Sequence, residues 1–369
     1  MAALAATSVF AQSSVQIVGT FDPGVASQKT TYGSGNSVKQ NYVSNNGPGT
    51  SQITFKGTED LGGGLKANFL FENDFDARFD ANGNALNGKN NFGSAGGEQF
   101  LGLEGKVGSL KIGAPNTPTL TAQGSRQPIG TKIGSGFGSS LGTKHVRNNN
   151  AVVYATPVVN GFSASYGYAF GTNPDVNAAG TYNVSTGDAS TVAGLNTKEV
   201  GQISDLGLNY ANGPLRAGVS LYSVDSIATD ATAAVTGGAS ARTAFAGKNK
   251  QTNFYAQYDI AGATLYVGAH KETTEGAAGA VKALDASGTN FAAKYAVTGN
   301  VNLLANFAKL DDKTAANLDI KTTAIGAQYV FSKNTSAYVR GVKETTDNQT
   351  GVTKAKQVTT TLIGLQTNF

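Results

Sequence analysis

The feature that most constrains this chain is an alternation of apolar and polar residues with a period of two, which recurs along most of its length. The clearest segment places apolar side chains at every second position and mainly polar ones between them: Leu65, Ala67, Phe69 and Phe71, against Lys66, Asn68 and Glu72. Successive side chains of a strand point to opposite faces, so this pattern predicts strands with one apolar and one polar face. The chain is therefore predicted to be all-β.

The connections between these segments alternate between short and long. Short ones such as Asn160-Gly161 and Asn212-Gly213 suit tight hairpins, whereas 27–50 and 115–149 are long and rich in Gly, Asn and Ser. About sixteen strands can be counted, many of them about ten residues long, enough to cross a bilayer when tilted. An even number of strands with short turns at one end and long loops at the other is typical of an outer-membrane barrel. Soluble sandwiches, propellers and β-helices also alternate, but they do not usually keep this loop rhythm.

Composition narrows the classes further. The chain has 369 residues, no Cys, 48 Gly and a net charge of +4. The absence of Cys excludes disulfides and thiolate metal sites, and no basic stripe indicates a nucleic-acid partner. Gly, Thr, Asn and Ser are spread evenly, which favours one repetitive domain. No cofactor or metal site is predicted.

The two ends carry separate expectations. Residues 1–11 (MAALAATSVFA) resemble the end of a secretory signal, with a short apolar tail as the alternative, so residues 12–369 are predicted to form a single barrel domain outside the cytoplasm. The last segment, KQVTTTLIGLQTNF, gives Phe369 the same parity as Leu365 and Ile363. Phe369 is therefore predicted to face lipid.

Several stretches resemble the general porins of Gram-negative bacteria, in particular the β-proteobacterial type. They are ITFKGTEDLGGGLKANFLFE at 53–72, FLGLEGKVGSLKIG at 100–113, VVYATPVVNGFSASYGY at 152–168 and QYVFSKNTSAYV at 328–339. The resemblance implies a transmembrane antiparallel β-barrel of about 16 strands, a homotrimer, with a long third loop folded into the pore. It also implies an outer-membrane location among lipids and lipopolysaccharide, and recognition of Phe369 by the barrel-assembly machinery. Gln52, Val153 and Gln366-Thr367 depart from the family, because they replace frequent Arg or Arg-His positions.

The predicted pore residues are mostly basic. The segment 115–149 is the candidate constriction loop by family position, and it contains no Asp or Glu. The predicted pore-lining set combines loop and wall positions: Arg126, Lys132, Lys144 and Arg147, with Lys56, Lys66, Arg78 and Glu72. Fixed charge in a narrow opening sets ion preference. The sequence thus predicts a passive, water-filled channel for small hydrophilic solutes and ions, with a moderate preference for small anions.

Three other functions remain open at this point. A substrate-specific channel would need rows of aromatic residues, and the chain has no Trp. A surface adhesin would use the long loops. A barrel enzyme would need a nucleophile beside a base, and only His145 and His270 are available as histidines. No spaced motif supports catalysis, so the chain is predicted not to be an enzyme.

Overall fold

The computed structural model describes residues 14–45, 47–75, 96–171, 201–226, 247–275, 284–348 and 354–369. The predicted signal segment 1–11 lies outside them. Within these ranges the chain forms one short helix and eighteen strand segments: β1 Ser14–Phe21, β2 Gly24–Tyr32, β3 Ser37–Ser44, β4 Gln52–Gly62, β5 Leu65–Asp74, β6 Gln99–Gly105, β7 Gly108–Ala114, α1 Pro118–Gly124, β8 Ala151–Ala155, β9 Phe162–Ala169, β10 Ile203–Asn212, β11 Leu215–Ser226, β12 Gly247–Ile260, β13 Ala263–Glu275, β14 Asp285–Ala296, β15 Val301–Asp312, β16 Leu318–Val330, β17 Thr335–Asn348 and β18 Lys354–Asn368.

The described segments occupy sixteen positions around one closed antiparallel sheet, because two positions are each shared by two segments. β1 and β2 follow one another along β18: Phe21 pairs with Thr367, and Gly24 pairs with Gly364. β3 pairs with β2 and β4 pairs with β1, so these two segments share the second position. The pairing of β1 with β18 closes the barrel, which leaves no open edge between the first and last strands.

The register separates an apolar outside from a polar inside. On β14, Phe291 is 64% exposed while its neighbour Asn290 is 1% exposed. The same parity puts Phe254, Phe307 and other apolar side chains on the outer surface. A water-soluble protein would bury such residues, whereas a membrane barrel exposes them to lipid. The alternation in the sequence therefore corresponds to lipid-facing and lumen-facing side chains.

The predicted all-β barrel of about sixteen strands is confirmed. The expectation that 27–50 is a long loop was wrong, since β2 and β3 occupy most of it. β3 (SVKQNYVS) is almost entirely exposed. Polar residues therefore occur on both faces, and the period-two signal disappears. Phe369 has the predicted outward parity: it is exposed like Leu365 and Ile363.

The single described helix, α1, has seven residues. Its start is stabilised by the Thr117 side chain, which accepts a hydrogen bond from the Leu120 amide at 2.9 Å, and by Pro118 at the first helical position. Among the described residues, no helix is long and apolar enough to cross a membrane.

Candidate functional site

The candidate site is formed by the segment 115–149, called the inner loop from here on, and the wall strands that it contacts. α1 lies at its beginning and packs against β10, β11 and β12. Further along, the loop approaches the wall so closely that a Cβ on Gly134 would lie 2.9 Å from Ala324 and Val342. Gly134 has φ +94°, a conformation that favours glycine. The contacted wall residues have the parity opposite to the lipid-facing side chains, so the inner loop runs along the inside of the barrel.

Three wall carboxylates accept hydrogen bonds from the inner loop. Asp205 accepts from the Thr119 amide at 3.0 Å and from its hydroxyl at 2.7 Å. Glu272 accepts from the Thr143 amide at 2.9 Å and from its hydroxyl at 2.7 Å. Glu344 accepts from the hydroxyl of Ser139 at 2.7 Å. Hydrogen bonds to a charged acceptor are stronger than neutral ones, so an acid-free loop rich in Ser and Thr is held by an acidic wall.

Arg126 fills a recess in the wall and is 0% exposed. Its Nε donates to Asn290 Oδ1 at 2.9 Å, and its Nη2 lies 3.0 Å from His270 Nδ1. The recess exists because Gly268 and Gly288 have no side chains: a Cβ on Gly268 would overlap Arg126, and one on Gly288 would overlap the His270 ring. The glycines on β13 and β14 therefore leave room for the Arg126 side chain.

The protonation states in the recess follow from the contacts. A guanidinium can only donate, so His270 Nδ1 must accept and the ring proton lies on Nε2, 3.4 Å from Glu272 Oε1. Burial lowers the pKa of Arg126 to about 10, while the Glu272 carboxylate acts in the opposite direction. The arginine is therefore charged at neutral pH and is balanced by Glu272, which is 2% exposed.

The second histidine, His145, lies in the inner loop. Its ring stacks on that of Tyr222, with centroids 3.7 Å apart. Burial lowers the pKa of His145 to about 4, so the ring is neutral at pH 7. Within the described chain no group of three or more His, Asp or Glu residues is placed to hold a metal ion.

A family model described as Gram-negative porin matches residues 1–349. The chain belongs to the Gram-negative porin family. The family and the closed barrel locate it in the outer membrane.

Individual relatives agree with this membership. The porin is 30% identical to outer membrane porin protein 32 of Delftia acidovorans over 249 residues, which is 62% of this chain and 61% of that protein. It is 33% identical to an outer membrane porin protein of Bordetella pertussis, over 46% of this chain and 41% of that protein. The matched regions thus span less than two thirds of either relative. The barrel superposes on the anion-selective porin from Comamonas acidovorans with a TM-score of 0.72, at 22% identity, over 97% of this chain and 100% of that chain.

The loop residues predicted to line the pore of this porin have different surroundings. Arg126 is buried in the wall recess. Lys132 contacts the hydroxyl of Thr50. Arg147 donates to the Gly96 carbonyl at 2.6 Å and lies 3.9 Å from Asp74.

Lys144 is exposed, and its ammonium group lies 5.7 Å from the centre of the Phe137 ring. Of the four basic residues on the inner loop, it is the one whose side chain lies in the open.

The wall residues predicted for the site face inward by parity. Lys56 is exposed and borders a cavity of about 300 Å³ together with Leu70 and Phe100. Lys66 is exposed near the short-turn end, with Asp60 and Glu104 opposite it on the adjacent strands.

Glu72 accepts from Gln52 Nε2 at 2.7 Å and from the Glu98 amide at 3.2 Å. Arg78 lies outside the described residues. The grouping of these side chains as one pore lining stays a prediction.

Sequence reasoning missed the wall partners of the inner loop. Asp205, Glu272 and Glu344 all have inward parity, which could have identified them as lumen-side carboxylates. Lys111 and Glu98 form a further inward ion pair, with Lys111 Nζ 3.2 Å from Glu98 Oε1. Their contacts with the loop could not be predicted, because parity assigns a face and not a partner.

Proposed function

We propose that this porin is a passive, water-filled channel through the outer membrane for small hydrophilic solutes and ions, with a moderate preference for anions. Two features support the channel. A barrel of sixteen strands is wider than its inward side chains can fill, and the inner wall is polar. The inner loop lies against that wall and narrows the lumen, so it is the constriction in this proposal.

The preference for anions rests on one observation: the inner loop buries wall carboxylates while it exposes a lysine. Glu272 and Asp205 are almost completely covered by the loop, so solutes do not meet their charge directly. Lys144, on the same loop, is exposed. Fixed positive charge in a low-dielectric opening raises the local concentration of anions. The structural neighbour from Comamonas acidovorans, named as an anion-selective porin, is consistent with this proposal.

The test is the zero-current potential of the reconstituted protein in a planar bilayer under a KCl gradient. We expect an anion-selective sign for the wild type and a shift toward cations for Lys144→Glu. The matched control is Lys333→Glu, which makes the same charge change in the exposed β16–β17 turn at the opposite end of the barrel and should leave the potential unchanged. A cation-selective wild type would contradict the preference for anions, and the absence of stable conductance would contradict the channel.

The assembly partners belong to the same proposal. We infer a homotrimer, surrounded by outer-membrane lipids and lipopolysaccharide and inserted by the barrel-assembly machinery through Phe369. The Phe369 ring lies across Gly19 on the outer surface, and its backbone amide donates to the Gly19 carbonyl at 3.0 Å. The mass of the detergent-solubilised protein tests the trimer, and the yield of folded Phe369→Ala in outer membranes tests the assembly signal.

An enzymatic role is not part of the proposal. A barrel hydrolase needs a histidine that can take a proton from a nucleophile. His270 has its Nδ1 occupied by Arg126, and His145 stacks on Tyr222. Hydrolysis of ester and peptide substrates by the purified protein is the measurement that would contradict this assignment.

A further inference from the structure

A cavity of about 310 Å³ lies inside the barrel, between the inner loop and the wall strands β13 to β16. The inner-loop segment 138–143 forms one side of it. Glu272 and the ends of β14, β15 and β16 form the other side, together with the β15–β16 connection at 313–317. This connection is at the long-loop end, which faces outward in outer-membrane barrels. A solute that enters from outside therefore reaches this space, called the entrance cavity, before it passes the inner loop.

The wall side of the entrance cavity is mainly apolar, in contrast to the polar interior of a porin. Its apolar residues are Leu284, Ala286, Leu310, Ala316, Leu318 and Ile320. Leu310 on β15 is directly opposite Ile320 on β16, on the same face of the sheet as Asn306. Leu318 is 36% exposed, so the inner loop does not cover this surface completely. Removal of this apolar surface from water by a ligand would be favourable.

A carboxylate without a positive partner borders the apolar surface. The two oxygens of Asp312 each accept one backbone hydrogen bond, from the Thr314 amide at 2.9 Å and from the Leu318 amide at 2.9 Å. A carboxylate has about four acceptor positions, so capacity for a further donor remains. No lysine or arginine of the described chain lines the cavity, and the charged neighbour that acts on Asp312 is another acid, Asp285.

The second carboxylate of the cavity, Glu272, differs from Asp312. It is 2% exposed, accepts two hydrogen bonds from Thr143, and interacts with the charge of Arg126. Its charge is therefore already balanced. Asp312 provides the uncompensated negative charge of the entrance cavity, and it lies beside Leu318, the most exposed leucine of the apolar surface.

We propose that the entrance cavity binds small organic amines, molecules with one ammonium group and one compact apolar group. The ammonium group pairs with the Asp312 carboxylate, and the apolar group packs against Leu310, Leu318 and Ile320. A mainly apolar cavity of this volume with few polar groups is typical of small-molecule sites. The preference for a cation is opposite to the preference proposed for the constriction, because Lys144 does not line this cavity. Binding does not require channel activity, so a failed conductance test would leave the proposal standing.

Isothermal titration calorimetry of the full-length refolded protein in detergent, with phenethylamine as the probe, tests the proposal. The heat of the amine in protein-free micelles is subtracted. Two matched probes keep the ring and replace the ammonium group: 2-phenylethanol is neutral, and 3-phenylpropionate is an anion. An ion pair open to water contributes up to about fivefold in affinity, so the amine should bind about fivefold more tightly than the alcohol. The carboxylate should bind more weakly than the alcohol.

Two variants separate the charge from the apolar surface. Asp312→Asn should weaken binding of the amine about fivefold and leave the alcohol nearly unchanged. Leu318→Ser should weaken both about tenfold, because both bury the same apolar surface. The matched controls should bind like the wild type. Asp347→Asn makes the same charge change beside Lys321, on the outer surface, and Leu61→Ser replaces an exposed leucine at the opposite end of the barrel.

Hydrogen exchange locates the bound amine. Saturating phenethylamine should slow the exchange of 138–143 and 313–317 in the wild type, and it should do so much less in Leu318→Ser. The probe series on the wild type decides the preference for a cation even if Asp312→Asn does not fold. The proposal would be overturned by a wild type without saturable binding, by 3-phenylpropionate binding as tightly as the amine, or by a folded Asp312→Asn that binds the amine like the wild type.

Discussion

Substitution of Arg126 by Ala should detach the inner loop from the barrel wall without unfolding the barrel. The guanidinium donates to Asn290 at 2.9 Å and faces His270 at 3.0 Å, with longer contacts of 3.4 Å to Asn253 and to the Leu141 carbonyl. All of these partners are closed to solvent. The substitution leaves their acceptor atoms without this donor and removes the positive charge that interacts with Glu272.

The magnitude can be estimated from these contacts. A buried acceptor without a donor costs about 1–3 kcal/mol, and removal of one partner from a buried ion pair costs about 3–5 kcal/mol. These two effects describe the same set of contacts and are not additive, so about 3–5 kcal/mol is expected. One factor of ten corresponds to about 1.4 kcal/mol, so the population of the detached loop should rise by a factor of roughly 10² to 10⁴.

Limited proteolysis of the trypsin sites in the inner loop measures this population. When reclosing is faster than cleavage, the cleavage rate follows the fraction of open molecules. Cleavage after Lys132 and Lys144 should accelerate by at least about 100-fold in Arg126→Ala. The matched control is Arg216→Ala, which removes an inward, half-buried arginine that pairs with Asp259 at 2.9 Å and donates to Gln257 at 2.8 Å. A solvent-accessible ion pair contributes at most about 1 kcal/mol. Cleavage of Arg126→Ala at the control rate would refute the anchoring role.

Three other predictions concern the same barrel. Burial lowers the pKa of His145 to about 4, so folding favours the neutral ring. The resulting contribution to the free energy of unfolding is roughly 3 kcal/mol; it is complete above about pH 6.5 and is lost as the pH falls toward 4. Hydrogen exchange of the inner loop should therefore accelerate over that range in the wild type but much less in His145→Gln, and identical profiles would contradict the assignment. Gly288→Ala should push the His270 ring out of its place and cost about 1–3 kcal/mol, seen as faster proteolysis of the loop; wild-type rates would show that the recess is not filled as described. Gly19→Ala would place a Cβ against the Phe369 ring and 2.7 Å from a backbone carbonyl, so the barrel should melt at a lower temperature, and an unchanged melting temperature would contradict this contact.

The fold was accessible from the sequence because lipid and water impose opposite demands on alternate residues. Phe69 and Glu72 were assigned to opposite faces by counting, and the structure agrees. β3 was missed for the converse reason: nearly all of its residues are exposed and polar residues occur on both of its faces, so no single apolar side stands out in its sequence. The break between β1 and β2 was also missed. It depends on Asp22, which is buried and accepts hydrogen bonds from Tyr338 at 2.7 Å and from the Gly49 amide at 2.6 Å.

The candidate site was only partly accessible. The inner loop was recognised by its length, its glycines and its lack of acids. Its attachment points are far away in sequence: Thr119 and Asp205 are 86 residues apart, and Arg126 and Asn290 are 164 apart. Parity indicates that Asp205 faces inward, but it does not say that a helix covers it. The sequence around Arg126 does not show whether its side chain is buried or solvated, because its burial depends on Gly268 and Gly288 on two distant strands.

The charge that solutes meet at the inner loop depends on the wall carboxylates that the loop contacts as well as on the loop's own basic residues. The loop carries four basic residues and no acidic ones, which by itself suggests a strongly positive constriction. Arg126 is balanced by Glu272, and Arg147 lies near Asp74. The net positive charge that the inner loop presents to the lumen is therefore smaller than four, and its exposed residue is Lys144. The anion preference should accordingly be moderate and should depend on Lys144 more than on Arg126. Arg126→Gln should alter the conductance noise of the channel by loosening the loop, whereas Lys144→Gln should alter its selectivity with little effect on noise. If the two variants changed the zero-current potential equally, the division between an anchoring and a selecting charge would be wrong.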